Sequence, residues 1–236
     1  MRKYFDKIFQ DGETIFHKVL KESLNDEKKL FVVTANPETL MTGQSNKEFD
    51  RLLQDDATCI VPDGIGIVKA AHMLGYNVKE RVTGVEICQF LLKEADRQGK
   101  SVFFFGAKEE VISMLVNRVK HSYPGMKVAG YQNGYVENKD KVFGRIAALK
   151  PDVVLVALGI PQQELLIYRH LNEFDKGIFV GVGGSFDVLS GMKKRAPQIF
   201  IKLNLEWFYR IVTEPERLGR FFRSNIRFLM RIRKMR

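Results

Sequence analysis

The sequence predicts an α/β fold, a parallel sheet with helices on both faces, followed by a C-terminal amphipathic helical appendage. Three observations carry this expectation. Short apolar runs of strand length alternate with longer stretches of helical period, as happens when crossover helices cover both faces of a sheet. Small and polar residues follow the apolar runs, where the chain must turn. The net charge of +10 is confined to the end of the chain: residues 192–236 carry 13 Lys/Arg against 3 Asp/Glu, whereas residues 1–191 carry 25 of each.

Taken in order, a helix is predicted near 12–26, then a strand in Leu30-Phe31-Val32-Val33, which stops at Thr34-Ala35-Asn36-Pro37. A helical stretch over 38–54 leads to the strand Cys59-Ile60-Val61, stopped by Pro62-Asp63-Gly64. Helices near 64–74 and 84–98 precede the strand Ser101–Phe105, which ends at Gly106-Ala107. A helix near 108–121, the strand Lys127–Gly130 and a helix near 138–149 follow. The strand Val153–Ala157 ends at Gly159-Ile160-Pro161, a helix near 162–172 comes next, and Ile178–Val180 is the last strand. This alternation is Rossmann-like. No repeat or low-complexity linker interrupts it. The composition breaks after Gly191, where Lys193-Lys194-Arg195-Ala196-Pro197 opens onto two helices expected near 198–213 and 215–235. The expected organisation is an α/β domain over 1–191 and a basic amphipathic appendage over 192–236.

A chain of 236 residues with 45% hydrophobic content is able to bury a substantial core, which argues against disorder. No run approaches the ~18–20 apolar residues that span a bilayer, and Met1-Arg2-Lys3-Tyr4, followed by Asp6 and Lys7, lacks the apolar stretch of a signal peptide. The expected location is cytoplasmic, on a membrane surface at most. Cys59 and Cys88 have neither disulfide-framework nor metal-ligand spacing, and the four histidines are scattered.

The tail has a two-sided pattern. At ~100° per residue, Arg220, Arg223, Arg227, Arg231 and Lys234 fall on one side of a helix, and Leu218, Phe221, Phe222, Ile226, Leu229 and Ile232 on the other. Arginine opposite Phe, Leu and Ile is the composition of a helix lying in an anionic membrane interface. The same pattern also fits a helix packed on its own domain or in an oligomer, and a basic stripe is able to bind nucleic acid. Against nucleic acid, the aromatics lie opposite the arginines rather than among them, as base-stacking platforms would.

In an open parallel sheet the ligand lies beyond the carboxyl ends of the strands. The residues there are Thr34 to Glu38, Pro62 to Gly66, Gly106-Ala107, Gly159 to Glu164 and Gly181 to Asp187. Glycines at strand-to-helix turns let backbone approach a phosphate, with helix N-termini supplying N–H groups, so a nucleotide is the natural guest. Tight turns alone would also explain them. The dinucleotide fingerprint fails at Phe186, where its third glycine belongs, and no Walker sequence exists. Asp63, on a stiff turn after a strand, suits a general base and equally suits an N-cap for the helix that follows. Arg81 is able to clamp a diphosphate through its fork of donors or to stand as a solvated surface charge.

Together these segments closely resemble the WecG/TagA/CpsF glycosyltransferases. The resemblance rests on Thr34-x-Asn36-x-Glu38, Pro62-Asp63-Gly64-x-Gly66, Glu80-Arg81-Val82-x-Gly84, Phe105-Gly106-Ala107, Ala157-Leu158-Gly159-x-Pro161-x-Gln163-Glu164, Gly181-Val182-Gly183-Gly184-Ser185-Phe186-Asp187 and Arg195-Ala196-Pro197. It runs in order from about residue 28 to about residue 220, through Leu205-Glu206-Trp207 and Glu214-Pro215-x-Arg217. The resemblance implies an inverting, metal-independent transfer of an N-acetylmannosamine-type sugar from a UDP donor to polyprenyl-diphosphate-linked N-acetylglucosamine at the cytoplasmic membrane. In one branch that step belongs to wall teichoic acid synthesis; in another the donor is the uronic acid form.

By motif position, Asp63 would deprotonate the acceptor hydroxyl and Arg81 would stabilise the departing diphosphate. Thr34 and Gln163 would line the sugar site, with Asn36 in support. Gly106, Ala107, Gly159, Pro161, Gly183, Gly184 and Phe186 would belong to the donor-binding loops, and Asp187 would contact uridine. Arg210, Arg217, Arg220, Arg223 and Arg227 would meet the acceptor diphosphate or lipid headgroups. No cofactor or metal is expected: Asp55-Asp56, the nearest thing to an acidic metal motif, sits in a helical stretch. The expected partners are thus the UDP-sugar, the lipid-linked acceptor and an anionic membrane, with no nucleic acid; the apolar tail also allows a homo-oligomer. The reading from another class is a non-enzymatic nucleotide-sensing or polyanion-binding protein, which would bind with steep salt dependence and transfer no sugar.

Overall fold

A computed structural model describes residues 1–213 and 218–235. The described elements are α1 (Arg2–Phe5), α2 (Glu13–Asn25), β1 (Lys29–Ala35), α3 (Pro37–Ser45), α4 (Lys47–Gln54), β2 (Thr58–Pro62), α5 (Ile65–Met73), α6 (Gly84–Gln98), β3 (Ser101–Gly106) and α7 (Glu109–Ser122). They continue with β4 (Lys127–Gln132), α8 (Lys139–Leu149), β5 (Val153–Ala157), α9 (Gln162–His170), β6 (Gly177–Gly181), α10 (Ser185–Ser190), α11 (Gln198–Lys202), α12 (Glu206–Thr213) and α13 (Leu218–Arg233).

The six strands form one parallel sheet in the order β2-β1-β6-β5-β3-β4. Strand side chains alternate between faces, and the core divides accordingly. Phe31, Val33, Phe103, Phe105, Val154, Val156 and Phe179 point to a layer built from α1, α3, α4, α5, α8, α9 and α13. Val32, Val61, Val102, Phe104, Val153, Leu155, Ile178 and Val180 point to the layer of α2, α6, α7 and α10. Both faces of the inner strands are covered, which is why those strands read as unbroken apolar runs, while the edge strand β4 is only partly buried.

All six predicted strands are present. The predicted helix over 38–54 is two helices, because Asn46 leaves helical geometry (φ −121°, ψ 114°) and its side chain caps α4 by accepting from the N–H groups of Glu48 and Phe49. The stretch expected as one helix over 198–213 breaks after α11 at Leu203-Asn204, where Asn204 takes φ +58°. No element is predicted before residue 12, yet α1 buries Tyr4 and Phe5, and Phe9 donates its N–H to the Ile60 carbonyl beside β2.

Helix α13 packs on α3 and α5, with Phe228 and Ile232 buried in the core beneath. The sequence placed Leu218, Phe221, Phe222, Ile226, Leu229 and Ile232 on one apolar side; the side chains of the first three lie outside the described residues, and the structure divides the other three. Ile232 turns inward with Phe228, while Ile226, Leu229 and Met230 stay about half exposed at 50%, 49% and 53%. The tail therefore packs on its own domain with one sector of its apolar surface and leaves another sector outside. Among the described residues no helix is long and apolar enough to cross a membrane.

Candidate active site

The site is built where neighbouring strands send their chain to opposite layers. After β1 the chain turns to α3 on one layer, and after the adjacent β6 it turns to α10 on the other. That divergence opens a crevice at the carboxyl ends of the strands. Thr34 spans it, its Oγ1 donating to the Gly181 carbonyl at 3.2 Å. Asn36 caps α3 by accepting from the Thr39 N–H at 3.0 Å, and the Thr39 hydroxyl accepts from the Asn36 N–H at 3.1 Å.

Asp63 lies on the turn after β2, half-buried, with its N–H bound to the Ala35 carbonyl at 2.8 Å. The next helix, α5, starts at Ile65, and its N-cap position is taken by Gly64, which has no side chain to cap it. Val82 donates its N–H to the Pro62 carbonyl at 2.8 Å, so the segment carrying Arg81 runs alongside the turn carrying Asp63. Carboxylate and guanidinium thus rise from neighbouring backbone. Gly84 closes this corner, because a Cβ there would lie 3.2 Å from Ser185 Oγ and 3.8 Å from Thr34 Cγ2. The loops after β1, β2 and β6 meet at that point.

Arg81 is not a solvated charge. Its Nη1 lies 3.1 Å from Glu206 Oε2 of α12, and both side chains are largely buried. A second tie joins the same regions: Arg195 bonds Glu86 at 2.6 Å, and Glu86 also accepts from the Thr83 hydroxyl at 2.7 Å at the start of α6. The segment beyond residue 191 is therefore fastened to the crevice by two ion pairs. Glu206 was present in a motif without a role, and only the fold brings it to Arg81, 125 residues earlier.

On the other side, Gln163 is 2% exposed. Its Oε1 accepts from the N–H groups of Gly159 at 3.1 Å and Gly183 at 3.2 Å, and its Nε2 donates to Glu164 Oε1 at 2.7 Å. The candidate sugar-site residue is thus also a tie between the loops after β5 and β6. Glu164 is fully buried, and burial pushes its carboxyl up to about 7, against the lowering effect of the Gln163 hydrogen bond and with a smaller raising contribution from the Glu38 charge. Gly106 (φ +126°) must be glycine, since a Cβ would fall 2.3 Å from the Ala157 carbonyl oxygen. Ala107 bonds that same carbonyl at 2.9 Å, which brings the loop after β3 against the end of β5.

Two sequence expectations change. Phe186 does not present its ring to a ligand: it is fully buried in the second layer, 6.0 Å from the Phe104 ring. It was grouped with the nucleotide loop because it follows Gly183-Gly184, but the first turn of α10 aims its side chain inward. Asp55 and Asp56, expected in a helical stretch, instead follow the last residue of α4 and precede β2, at the opposite edge of the sheet from Asp63; Asp55 accepts from Tyr168 and the Ala57 N–H, and Asp56 pairs with Lys7. Asp187 is half-buried, its carbonyl accepting from Lys193 at 2.9 Å. Gly159, Pro161, Gly183 and Gly184 all lie on loops at the carboxyl edge. A cavity bordered by Pro161, Gln162 and Arg169 adjoins the β5 loop but contains neither Asp63 nor Arg81, so it is separate from the crevice.

Of the tail arginines, Arg227 is exposed on α13. The side chains of Arg210, Arg220 and Arg223, and the whole of Arg217, lie outside the described residues. Among the described residues no group of three or more His, Cys, Asp or Glu gathers as a metal site.

Comparison with known proteins gives this crevice, with Asp63, Arg81 and loop backbone at its rim, a family. The model of the "Glycosyl transferase WecG/TagA/CpsF family" matches residues 11–236. The chain belongs to this family. Among its relatives in the WecG/TagA/CpsF group, an N-acetylglucosaminyldiphosphoundecaprenol N-acetyl-beta-D-mannosaminyltransferase of Bacillus spizizenii is 43% identical over 214 residues, 90% of this chain and 83% of the relative. Proteins of the same name from Bacillus subtilis and Staphylococcus aureus are 39% and 40% identical, covering 88% and 81% of this chain and 81% and 75% of their own lengths.

Proposed function

We propose that this WecG/TagA/CpsF glycosyltransferase moves N-acetylmannosamine from UDP-N-acetylmannosamine to polyprenyl-diphosphate-linked N-acetylglucosamine, the step named for its relatives and one that contributes to the linkage unit of wall teichoic acid. The observation that supports it most is the pairing of the Asp63 turn with the Arg81 segment through Val82 and Pro62. One group of each kind is needed. Asp63 takes the proton from the acceptor hydroxyl as that oxygen attacks the anomeric carbon. The bond from that carbon to the UDP oxygen breaks as the new glycosidic bond forms on the opposite face, and Arg81 stabilises the negative charge growing on the leaving diphosphate. The N-termini of α3, α5 and α9, which all open on the same edge, add N–H groups and partial positive charge.

Transfer without a divalent metal belongs to the same reading, with the Arg81 guanidinium in place of the ion. The membrane is the expected site of action: the exposed Ile226, Leu229 and Met230 sector adjoins the exposed Arg227 and Arg231, so apolar burial and attraction to anionic headgroups would act together.

The test is release of UDP from UDP-N-acetylmannosamine with a lipid-diphosphate N-acetylglucosamine acceptor in the presence of a chelator. Asp63→Asn is expected to lower kcat by about 10²–10⁴-fold with UDP binding retained. No transfer by the unmodified protein, or full turnover by the Asp63→Asn variant, would refute the assignment. Preference for the uronic acid donor in the same assay would move the protein to the other branch.

A further inference from the structure

Glu164 is wholly buried at the crevice, one residue along α9 from Gln163, and the transfer chemistry gives it no task. One oxygen is matched: Oε1 accepts from Gln163 Nε2 at 2.7 Å. The other, Oε2, is buried without a hydrogen-bond partner. A half-satisfied carboxyl inside a protein costs free energy that an apolar side chain would not, so its effect on neighbours matters.

That effect is legible in the Gln163 amide. Two backbone N–H groups, from Gly159 and Gly183, face one end of it, and only an oxygen is able to accept there. The NH2 end must then face Glu164, which offers an acceptor. A flipped amide would set donors against donors at one end and oxygen against oxygen at the other. Gly181 completes the fit: a Cβ on it would stand 2.7 Å from Gln163 Nε2 and 3.0 Å from Glu164 Oε1, so both side chains lie against the bare Cα at the end of β6.

We propose that Glu164 is a positioning residue of the donor site, holding the Gln163 amide in the one orientation that ties the loop after β5 to the loop after β6. The spacing of those loops sets where the sugar nucleotide rests, so the proposal rests on the donor-site reading above. With its carboxyl pushed up to about 7 by burial, Glu164 is neutral at lower pH and still accepts through its carbonyl oxygen. At higher pH it becomes a buried negative charge at the end of β6, among the loops that the donor-site reading assigns to the sugar nucleotide. Glu38, on α3, is the other charged group acting on it, and Gly181 of β6, which lies against it, carries no charge. Donor KM therefore rises as pH passes about 7.

Glu164→Ala, Glu164→Gln, Gln163→Ala and the double alanine variant test this, with donor KM, kcat, UDP affinity and Tm measured for each. Glu164→Ala is expected to raise donor KM about tenfold, the scale of one lost buried hydrogen bond. Glu164→Gln, whose carbonyl is able to accept from Gln163, should restore donor KM to within about threefold and remove its rise with pH. In the Gln163→Ala background, Glu164→Ala should change nothing further, since residues acting as a unit are not additive. A folded Glu164→Ala protein with unchanged donor KM overturns the proposal, as does an undiminished effect in the Gln163→Ala background. If the unmodified protein binds no UDP-sugar, the donor-site reading fails and takes this one with it; normal binding with an unaffected alanine variant sinks this one alone.

Discussion

Replacing Glu164 by glutamine tests the electrostatics of the crevice independently of any activity. Glutamate ordinarily titrates at 4.5, and Glu164 in the folded chain at about 7, chiefly because burial disfavours the ionised form. Between those values the folded protein holds a proton that the unfolded chain has released. Stability therefore falls as pH rises through this window and levels off above about 7, where both states are ionised. At ~1.4 kcal/mol per pH unit, the fall attributable to Glu164 is roughly 3 kcal/mol. A carboxylate such as Asp152 responds in the opposite sense: held below its ordinary range by Ser101 and Lys176 despite partial burial, it contributes stability that grows with pH in the acid range. The informative quantity is thus the difference between the Glu164→Gln variant and the unmodified protein, followed by urea denaturation from about pH 4.5 to about pH 8. The variant should gain roughly 3 kcal/mol on the unmodified protein across that range. A difference that stays constant with pH would refute the reasoning, because it would mean that Glu164 is solvated or paired when ionised.

Three further outcomes follow from the geometry. Gly181→Ala puts a methyl 2.7 Å from Gln163 Nε2 and 3.0 Å from Glu164 Oε1; the displaced pair should cost about 1–3 kcal/mol in thermal or chemical denaturation and weaken UDP binding in calorimetry. Phe228→Ala empties a fully packed site beneath α13 and should cost about 3–5 kcal/mol, whereas Leu229→Ser, half exposed, should stay within about 0.5 kcal/mol. In vesicle flotation with anionic lipid, a folded Ile226→Ser/Leu229→Ser protein should float less than the unmodified chain, and equal flotation would place the membrane contact elsewhere.

Most strands were legible because they are buried on both faces, so a run such as Val153–Ala157 is apolar without interruption and ends at a glycine-bearing turn, whereas the edge strand β4 is only partly buried. Asp63 was legible for a related reason: Pro62 and Gly64 fix it to the end of a strand, and the carboxyl end of a strand in such a sheet is where ligands sit. Arg81 stood in a plain loop, and composition alone left it indistinguishable from a surface charge. Its partner Glu206 is far along the chain, and no local pattern encodes an ion pair between a loop and a tail helix. Phe186 was misplaced because a glycine-rich turn suggests backbone exposure without saying which way the next side chain points.

The sequence by itself determined the alternation of strand and helix, the neutrality of residues 1–191 against the basic tail, and the residues standing at the strand ends. Those features depend on near neighbours, through periodicity, turn chemistry and charge. Only the tertiary structure decided that Arg81 is buried against Glu206, that Gln163 and Glu164 cross beneath Gly181, and that α13 divides its apolar surface between the core and the outside. The physical reason is separation along the chain: burial and pairing depend on which distant segment arrives opposite a side chain, and that is set by strand order and helix packing rather than by the residues on either side.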